Sequence, residues 1–166
     1  KSFVLCEGAA VMEAVAGAKT LASDIIQNET DCNLQFDHIF LDAGTGFSAS
    51  ACIKKLEEIN HRAQCHVLLL ADPENVFKDN AKQWTNSTLK NTKCFKPTNA
   101  RSFGSINKTL KLFIRNFAYQ NGILLDPIYS GKLFYETQKY IQTNNITGNI
   151  LIVHSGGILT LPNFQL

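Results

Sequence analysis

Three short segments carry residue types suited to holding an anion or moving a proton. The first is Leu41-Asp42-Ala43-Gly44-Thr45-Gly46-Phe47-Ser48-Ala49-Ser50. It closes an apolar run and opens a helical one. A strand that ends in glycines and feeds a helix presents free backbone N–H groups, and the helix dipole adds partial positive charge there. Glycine lets the backbone approach a ligand with no Cβ in the way. Thr45 and Ser48 add hydroxyl donors. That chemistry suits a phosphate held without a lysine. The segment is neither the dinucleotide fingerprint G-x-G-x-x-G nor a P-loop, since no G-K-[ST] follows. The alternative is a tight strand-to-helix turn with Ser48 as the cap.

The second segment is Leu125-Asp126-Pro127-Ile128-Tyr129-Ser130-Gly131-Lys132. Pro127 fixes the entry and Gly131-Lys132 opens a helix. Tyr129 and Ser130 stand at its head, within reach of a sheet rim. The alternative is a proline turn with Ser130 as cap and Tyr129 in the core. The third is Ile152-Val153-His154-Ser155-Gly156-Gly157. Here the alternative is a satisfied core histidine followed by a plain Gly-Gly turn.

The elements that must position these segments follow from apolar periodicity. Phe3–Cys6 reads as a short strand. Val11, Ala14, Val15, Ala18, Ala22, Ile25 and Ile26 recur at helical spacing and predict one helix over 9–26. Residues 28–33 are polar and read as a loop. His38–Ala43 and His66–Ala71 are apolar throughout, as strands covered on both faces are. Between them Cys52, Ile53, Leu56 and Ile59 mark a helix ending near Arg62. Asp72-Pro73 stops the second strand. Residues 74–100 read as a short helix, a loop and a strand at Lys93-Cys94-Phe95. Ile106, Leu110, Phe113, Ile114 and Phe117 give an amphipathic helix that Asn121-Gly122 closes. Ile123–Pro127 is extended, a helix starts near Gly131, and 149–154 is a last buried strand. Strands and helices alternate, which predicts an α/β domain: an open, mostly parallel sheet with helices on both faces. Ligands gather at the carboxyl ends of strands in such sheets. The turns at Glu7-Gly8, Gly44–Gly46 and Ser155–Gly157 all follow strands or extended segments, so one shared rim would make them one site.

Bulk properties narrow the function classes. A chain of 166 residues with 45% apolar and 18% charged residues fits one globular domain. A net charge of +2, with no basic stripe along any element, argues against nucleic acid. Five cysteines, none in a C-x-x-C pair, read as reduced thiols in the cytoplasm rather than disulfides or a metal site. Four Asn-x-Ser/Thr triplets, at Asn28, Asn86, Asn107 and Asn145, read as chance in an Asn-rich chain. No apolar run approaches the ~20 residues of a membrane span.

Taken together, the three segments resemble the carboxyl-terminal portion of the pyridoxal-phosphate enzymes that include 1-aminocyclopropane-1-carboxylate deaminase and D-cysteine desulfhydrase, of the tryptophan-synthase-β-like fold type. Glu7-Gly8-Ala9 with the Ala-rich stretch after it, Phe36–Ile39 leading into Gly44-Thr45-Gly46, Gly122–Lys132 and His154–Gly157 carry the resemblance in order, the third most specifically. It implies pyridoxal 5'-phosphate as cofactor. Gly44, Thr45, Gly46, Phe47 and Ser48 would hold its phosphate, chiefly through backbone N–H. Ser130 would face the pyridine nitrogen, Tyr129 would lie near the reacting atoms, and Ser155 and Gly156 would line the ring's other edge. A hydroxyl rather than a carboxylate at Ser130 suits β-elimination better than opening a cyclopropane ring.

Two departures stand out. Phe47 replaces a small polar residue of the family's loop, so the backbone alone would have to bind phosphate. The family's cofactor-carrying lysine lies in an amino-terminal segment that nothing here resembles; Lys1, Lys19 and Lys132 do not match it. The expectation is therefore the carboxyl-terminal part of the large domain of a lyase or deaminase acting on a small amino acid, without the small domain, and inactive alone. Its expected partners are the amino-acid substrate and either a second copy or the amino-terminal half, with no nucleic acid and no membrane. The competing readings are a non-catalytic module with a phosphate site and a plain α/β domain that assembles with a partner.

Overall fold

The computed structural model describes residues 6–157 and Leu161. The strand expected over 3–5 lies outside the described residues, apart from its closing Cys6. Among the described residues four strands form one parallel sheet: β1 (His38–Ala43), β2 (Gln64–Leu69), β3 (Thr92–Phe95) and β4 (Ile150–Ile152), in the order β3-β2-β1-β4. In register, His38 pairs with Gln64 of β2 and with Ile150 of β4, while Cys65 of β2 pairs with Thr92 of β3.

That order has a consequence for function. From β1 the chain steps outward through β2 to β3, then returns to place β4 on the other side of β1. The reversal puts a topological switch point at the carboxyl ends of β1 and β4, the place where open parallel sheets bind ligands. Gly44-Thr45-Gly46 follows β1 and His154–Gly157 follows β4.

Alternation along the strands sorts the core into two faces. Ile39, Leu41 and Ala43 join Cys65, Val67 and Leu69 on one face, where they meet Ala22, Ile25, Ile53, Leu56 and Phe77. These come from α2 (Thr20–Asp31), α3 (Phe47–Glu58) and α4 (Glu74–Thr85). On the other face Phe40, Leu68 and Leu70 pack with Leu133, Tyr140 and Ile141 of α6 (Ser130–Asn144). A third cluster around Leu110, Ile114 and Leu125 ties α5 (Lys108–Asn121) to the outside of α6. The expected class, an open parallel sheet covered on both faces, is what the chain adopts.

Several expectations need correction. The single helix over 9–26 is instead two 3-10 turns, Glu7–Ala9 and Met12–Ala14, a four-residue α1 (Val15–Ala18), and α2. Gly8 and Ala9 take left-handed φ values of 67° and 50°, and Val11 is extended, so no helix can run through them. Conversely, α2 continues to Asp31, through a stretch whose polarity suggested a loop. Polar side chains there hold the helix themselves: Asn28 Nδ2 donates to the Asp24 carbonyl (2.7 Å) and Gln27 Nε2 to Asp31 Oδ1 (2.8 Å). Among the described residues the 123–127 segment pairs with no strand, although Leu125 is fully buried. β4 is only half-buried, and among the described strands it is the last on its side of the sheet. The helix and strand expected within 74–100 both form, as α4 and β3. Gly122 ends α5 at φ 69°, the left-handed cap expected of it.

Candidate functional site

A cleft of about 560 Å³ opens at the switch point. All three glycine-bearing turns contribute to its wall, Gly8 from the first, Gly44 to Gly46 from the second, Ser155 and Gly157 from the third. Tyr129 and Phe103 complete one side.

The Gly44–Ser48 turn is shaped by its neighbours. Gly46 is the N-terminal cap of α3 and has φ 85°, a left-handed conformation that favours glycine. A Cβ there would also lie 2.5 Å from the ring of Phe77. A Cβ on Gly44 would stand 3.1 Å from Tyr129 Cε1, and one on Gly8 2.9 Å from Thr45 Oγ1. The loop is thus pressed between α4, Tyr129 and the amino-terminal turn. Because a glycine caps α3, no side chain satisfies the first-turn N–H groups through the cap. The nearest substitute is Thr45 Oγ1, at a long 3.4 Å from the Phe47 N–H. Phe47 is buried and sets its ring edge-on to Trp84, with centroids 5.4 Å apart. Its bulk goes into the α3–α4 core and leaves its N–H on the loop side. Ser48 is exposed on the cleft wall.

The second segment is organised by a residue to which sequence reading assigned no role. Asp126 is fully buried and accepts four hydrogen bonds: the N–H groups of Ile128 and Tyr129 on Oδ1, and the N–H and hydroxyl of Ser130 on Oδ2, all at 2.7–2.8 Å. Asp126 therefore caps α6, a part the sequence suggested for Ser130. Ser130 is itself fully buried, donates to Asp126, and accepts from the Asp126 N–H at 2.9 Å. It stands behind the cleft wall rather than on it. Tyr129 does reach the wall. Burial first, then the charges of Asp42, Asp126 and Glu7, push its hydroxyl above the usual tyrosine range. Tyr129 is accordingly a neutral hydroxyl at physiological pH, able to donate a hydrogen bond or a proton and poorly suited to act as a phenolate base.

The third segment is tied down at each residue. His154 Nε2 lies 2.8 Å from the Leu124 carbonyl, and its Nδ1 accepts the Gly156 N–H at 3.0 Å. These bonds make Nε2 the donor and Nδ1 the acceptor of the ring. Ser155 donates its hydroxyl to Asp42 Oδ2 at 2.9 Å. A Cβ on Gly157 would meet Asp126 Cγ at 2.9 Å. Ser155 and Gly157 line the cleft, whereas Gly156 does not.

Asp42 is the site residue that sequence reading passed over. Its signal was a lone carboxylate in the otherwise apolar run Ile39–Ala43. Burial, opposed by the Ser155 hydrogen bond, pushes its carboxyl up to about 6. Lys132, the lysine nearest a site motif, turns away from the cleft. It is buried and donates Nζ to the Ser102 carbonyl at 2.8 Å, and that burial lowers its pKa. Neither lysine nor arginine lines the cleft, and no cluster of three or more metal-ligating side chains occurs among the described residues.

No family model matches the sequence. Curated relatives do. A putative 1-aminocyclopropane-1-carboxylate (ACC) deaminase of Pyrococcus abyssi is 32% identical over 57 residues, 34% of this chain and 17% of that protein. Its counterpart in Pyrococcus horikoshii is 36% identical over 56 residues, with the same coverage. Over that segment the chain is similar to curated ACC deaminases. A solved ACC deaminase homologue superposes over 95% of this chain and 50% of its own, with a TM-score of 0.79 at 23% identity. A hydrogen sulfide-producing enzyme from Fusobacterium nucleatum covers 84% of the chain with a TM-score of 0.54 at 17% identity. At those identities the solved structures speak for the fold. The chain spans about half the length of these solved proteins and matches a sixth of the curated ACC deaminases. Among the described residues no helix is long and apolar enough to cross a membrane.

Proposed function

We propose that this cleft holds the phosphate of pyridoxal 5'-phosphate, and that the chain is the cofactor-binding part of a lyase or deaminase acting on a small amino acid. One observation carries the reading: the uncapped start of α3, with two glycines whose Cβ positions are already filled, faces a cleft shared with Tyr129 and Ser155 at the sheet's switch point. The kinship with ACC deaminases supports the same cofactor and substrate class.

The donor set fits the phosphate end. N–H groups of the first turn of α3, with the Thr45 and Ser48 hydroxyls, supply neutral donors to an anion where, among the described residues, no basic side chain lines the wall. When bound, the cofactor supplies an electron sink for negative charge developing on the substrate. This chain's own part is to orient and to move protons. Tyr129, protonated and packed edge-on against Phe103 with centroids 5.8 Å apart, presents a donor beside the Gly44 backbone. Ser155, its proton committed to Asp42, offers only lone pairs to a ligand. In this reading the lysine that carries the cofactor comes from outside the described cleft.

The test uses pyridoxamine phosphate, which has the phosphate but no aldehyde to react with surface lysines. Trp84, the only tryptophan, sits against Phe47 at the loop. Saturable change in its fluorescence, reversed by inorganic phosphate, is the expected result; no saturable change sinks the reading. That no lysine among the described residues lines the cleft wall favours, second, a phosphate-binding module without catalysis. Borohydride reduction of the whole protein with pyridoxal phosphate separates the two: a lyase retains the cofactor on one specific lysine, a binding module does not.

A further inference from the structure

We infer that Asp42 binds the incoming anion in its protonated form, so that filling the cleft with a dianion takes up one proton from solvent. The inference rests on the phosphate reading of the cleft and adds a residue and a proton to it.

Among the described residues, the charged side chains on the cleft wall are Glu7, Asp42 and Asp72, all acidic. A dianion entering among them meets like charge, and one carboxyl must be neutralised or bind poorly. The structure singles out which. Glu7 is exposed; Asp72 and Asp42 are both half-exposed, but among the described residues only Asp42 of these two is hydrogen-bonded to another turn of the cleft, at Ser155. Asp126, next to Tyr129 at the head of α6, has both oxygens occupied by four hydrogen bonds within its own turn. His154, on the segment after β4, has both ring nitrogens engaged, one with the Leu124 carbonyl and one with the Gly156 N–H.

Asp42 differs from all of these. It stands two residues ahead of Gly44, and its Oδ2 accepts the Ser155 hydroxyl. Oδ1 has no hydrogen-bond partner among the described residues. Protonated there, Asp42 turns from a repelling charge into a donor for a phosphate oxygen, while Oδ2 keeps Ser155 in place. Burial and the neighbouring Asp126 already favour the neutral form, and a dianion alongside favours it further. The balance is simple: a proton leaves solvent, bonds to Oδ1, and is returned when the anion departs.

The test is calorimetry with sulfate, which does not titrate between pH 5 and 8, and with pyridoxamine phosphate, in two buffers of different ionisation enthalpy. Wild type should take up about one proton per sulfate bound at pH 7.5, and its sulfate affinity should fall about tenfold per pH unit above pH 6. Asp42→Asn, which keeps an oxygen for Ser155, should bind with no proton uptake and little pH dependence. Ser155→Ala, which leaves the carboxyl in place, should retain the uptake. Sulfate binding without proton uptake, or an unchanged pH slope in Asp42→Asn, overturns the inference and leaves the phosphate cleft standing. Failure of both anions to bind wild type at any pH overturns the cleft reading as well.

Discussion

Gly46→Ala tests how the loop is held. Two costs add. At φ 85° an alanine sits in the left-handed region, which costs about 1–2 kcal/mol for a residue with a Cβ. The new methyl also falls 2.5 Å from Phe77 Cδ2, and Phe77 is a buried core residue with little room to turn. Overpacking of that kind costs about 1–3 kcal/mol. The expected loss is therefore about 2–5 kcal/mol, read by urea unfolding with Trp84 emission as the probe. Gly44→Ala is the internal control. Its Cβ would meet Tyr129 at 3.1 Å, a ring that borders the open cleft and can shift. Its cost should stay within about 1 kcal/mol. The two variants should also differ in binding: Gly46→Ala moves the start of α3 and weakens anion affinity, Gly44→Ala acts through Tyr129. If Gly46→Ala stays within about 0.5 kcal/mol of wild type, the size of an ordinary surface change, the picture of a loop pinned by Phe77 is wrong.

Three further outcomes follow from buried polar groups. Asp42 and His66 set opposing pH dependences: burial raises Asp42 from 3.8 to about 6, so its stabilising share is complete below pH 3.8 and lost as pH rises through 6, whereas burial lowers His66 from 6.5 to about 4, so its share is present above pH 6.5 and lost as pH falls through 4. Each amounts to about 3 kcal/mol over its whole range, so Asp42→Asn should gain about 2 kcal/mol over wild type between pH 4 and pH 6.5, and parallel melting curves across that range would refute it. Glu29→Ala should cost about 2–3 kcal/mol in thermal or urea unfolding, because Glu29 accepts the Phe36 N–H (2.7 Å) and lies 3.0 Å from His61 Nε2 in a nearly closed site between α2 and α3; a loss under about 0.5 kcal/mol would count against that bridge. Mass mapping after borohydride reduction with pyridoxal phosphate should leave Lys132 unlabelled, since its Nζ is held by Ser102, and labelling there would contradict the buried assignment.

Much of this architecture was legible because it depends on apolar periodicity. β1, β2, α3, α5 and α6 each bury a clear stripe or run, and tertiary packing preserves such patterns. What escaped depends on polar side chains chosen by tertiary contacts. The last turns of α2 are built from Asn28, Gln27 and Asp31, residues that by type suggest a loop. Asp126 took the capping part that Ser130 suggested, since a buried carboxylate collects several N–H groups where one hydroxyl collects one. The convergence of three glycine turns on one cleft followed from alternating strands and helices. The carboxylate of Asp42 within that cleft did not, because a single acid in an apolar strand has no pattern to read.

The most direct measurement is amide-proton NMR of the labelled protein during titration with pyridoxamine phosphate. The account predicts saturable downfield shifts concentrated at the N–H groups of Thr45 to Ala49, where hydrogen bonds to phosphate would form, with smaller changes at Ser155 and Gly157. Shifts that spread over surface lysines and leave Thr45 to Ala49 unmoved would contradict it.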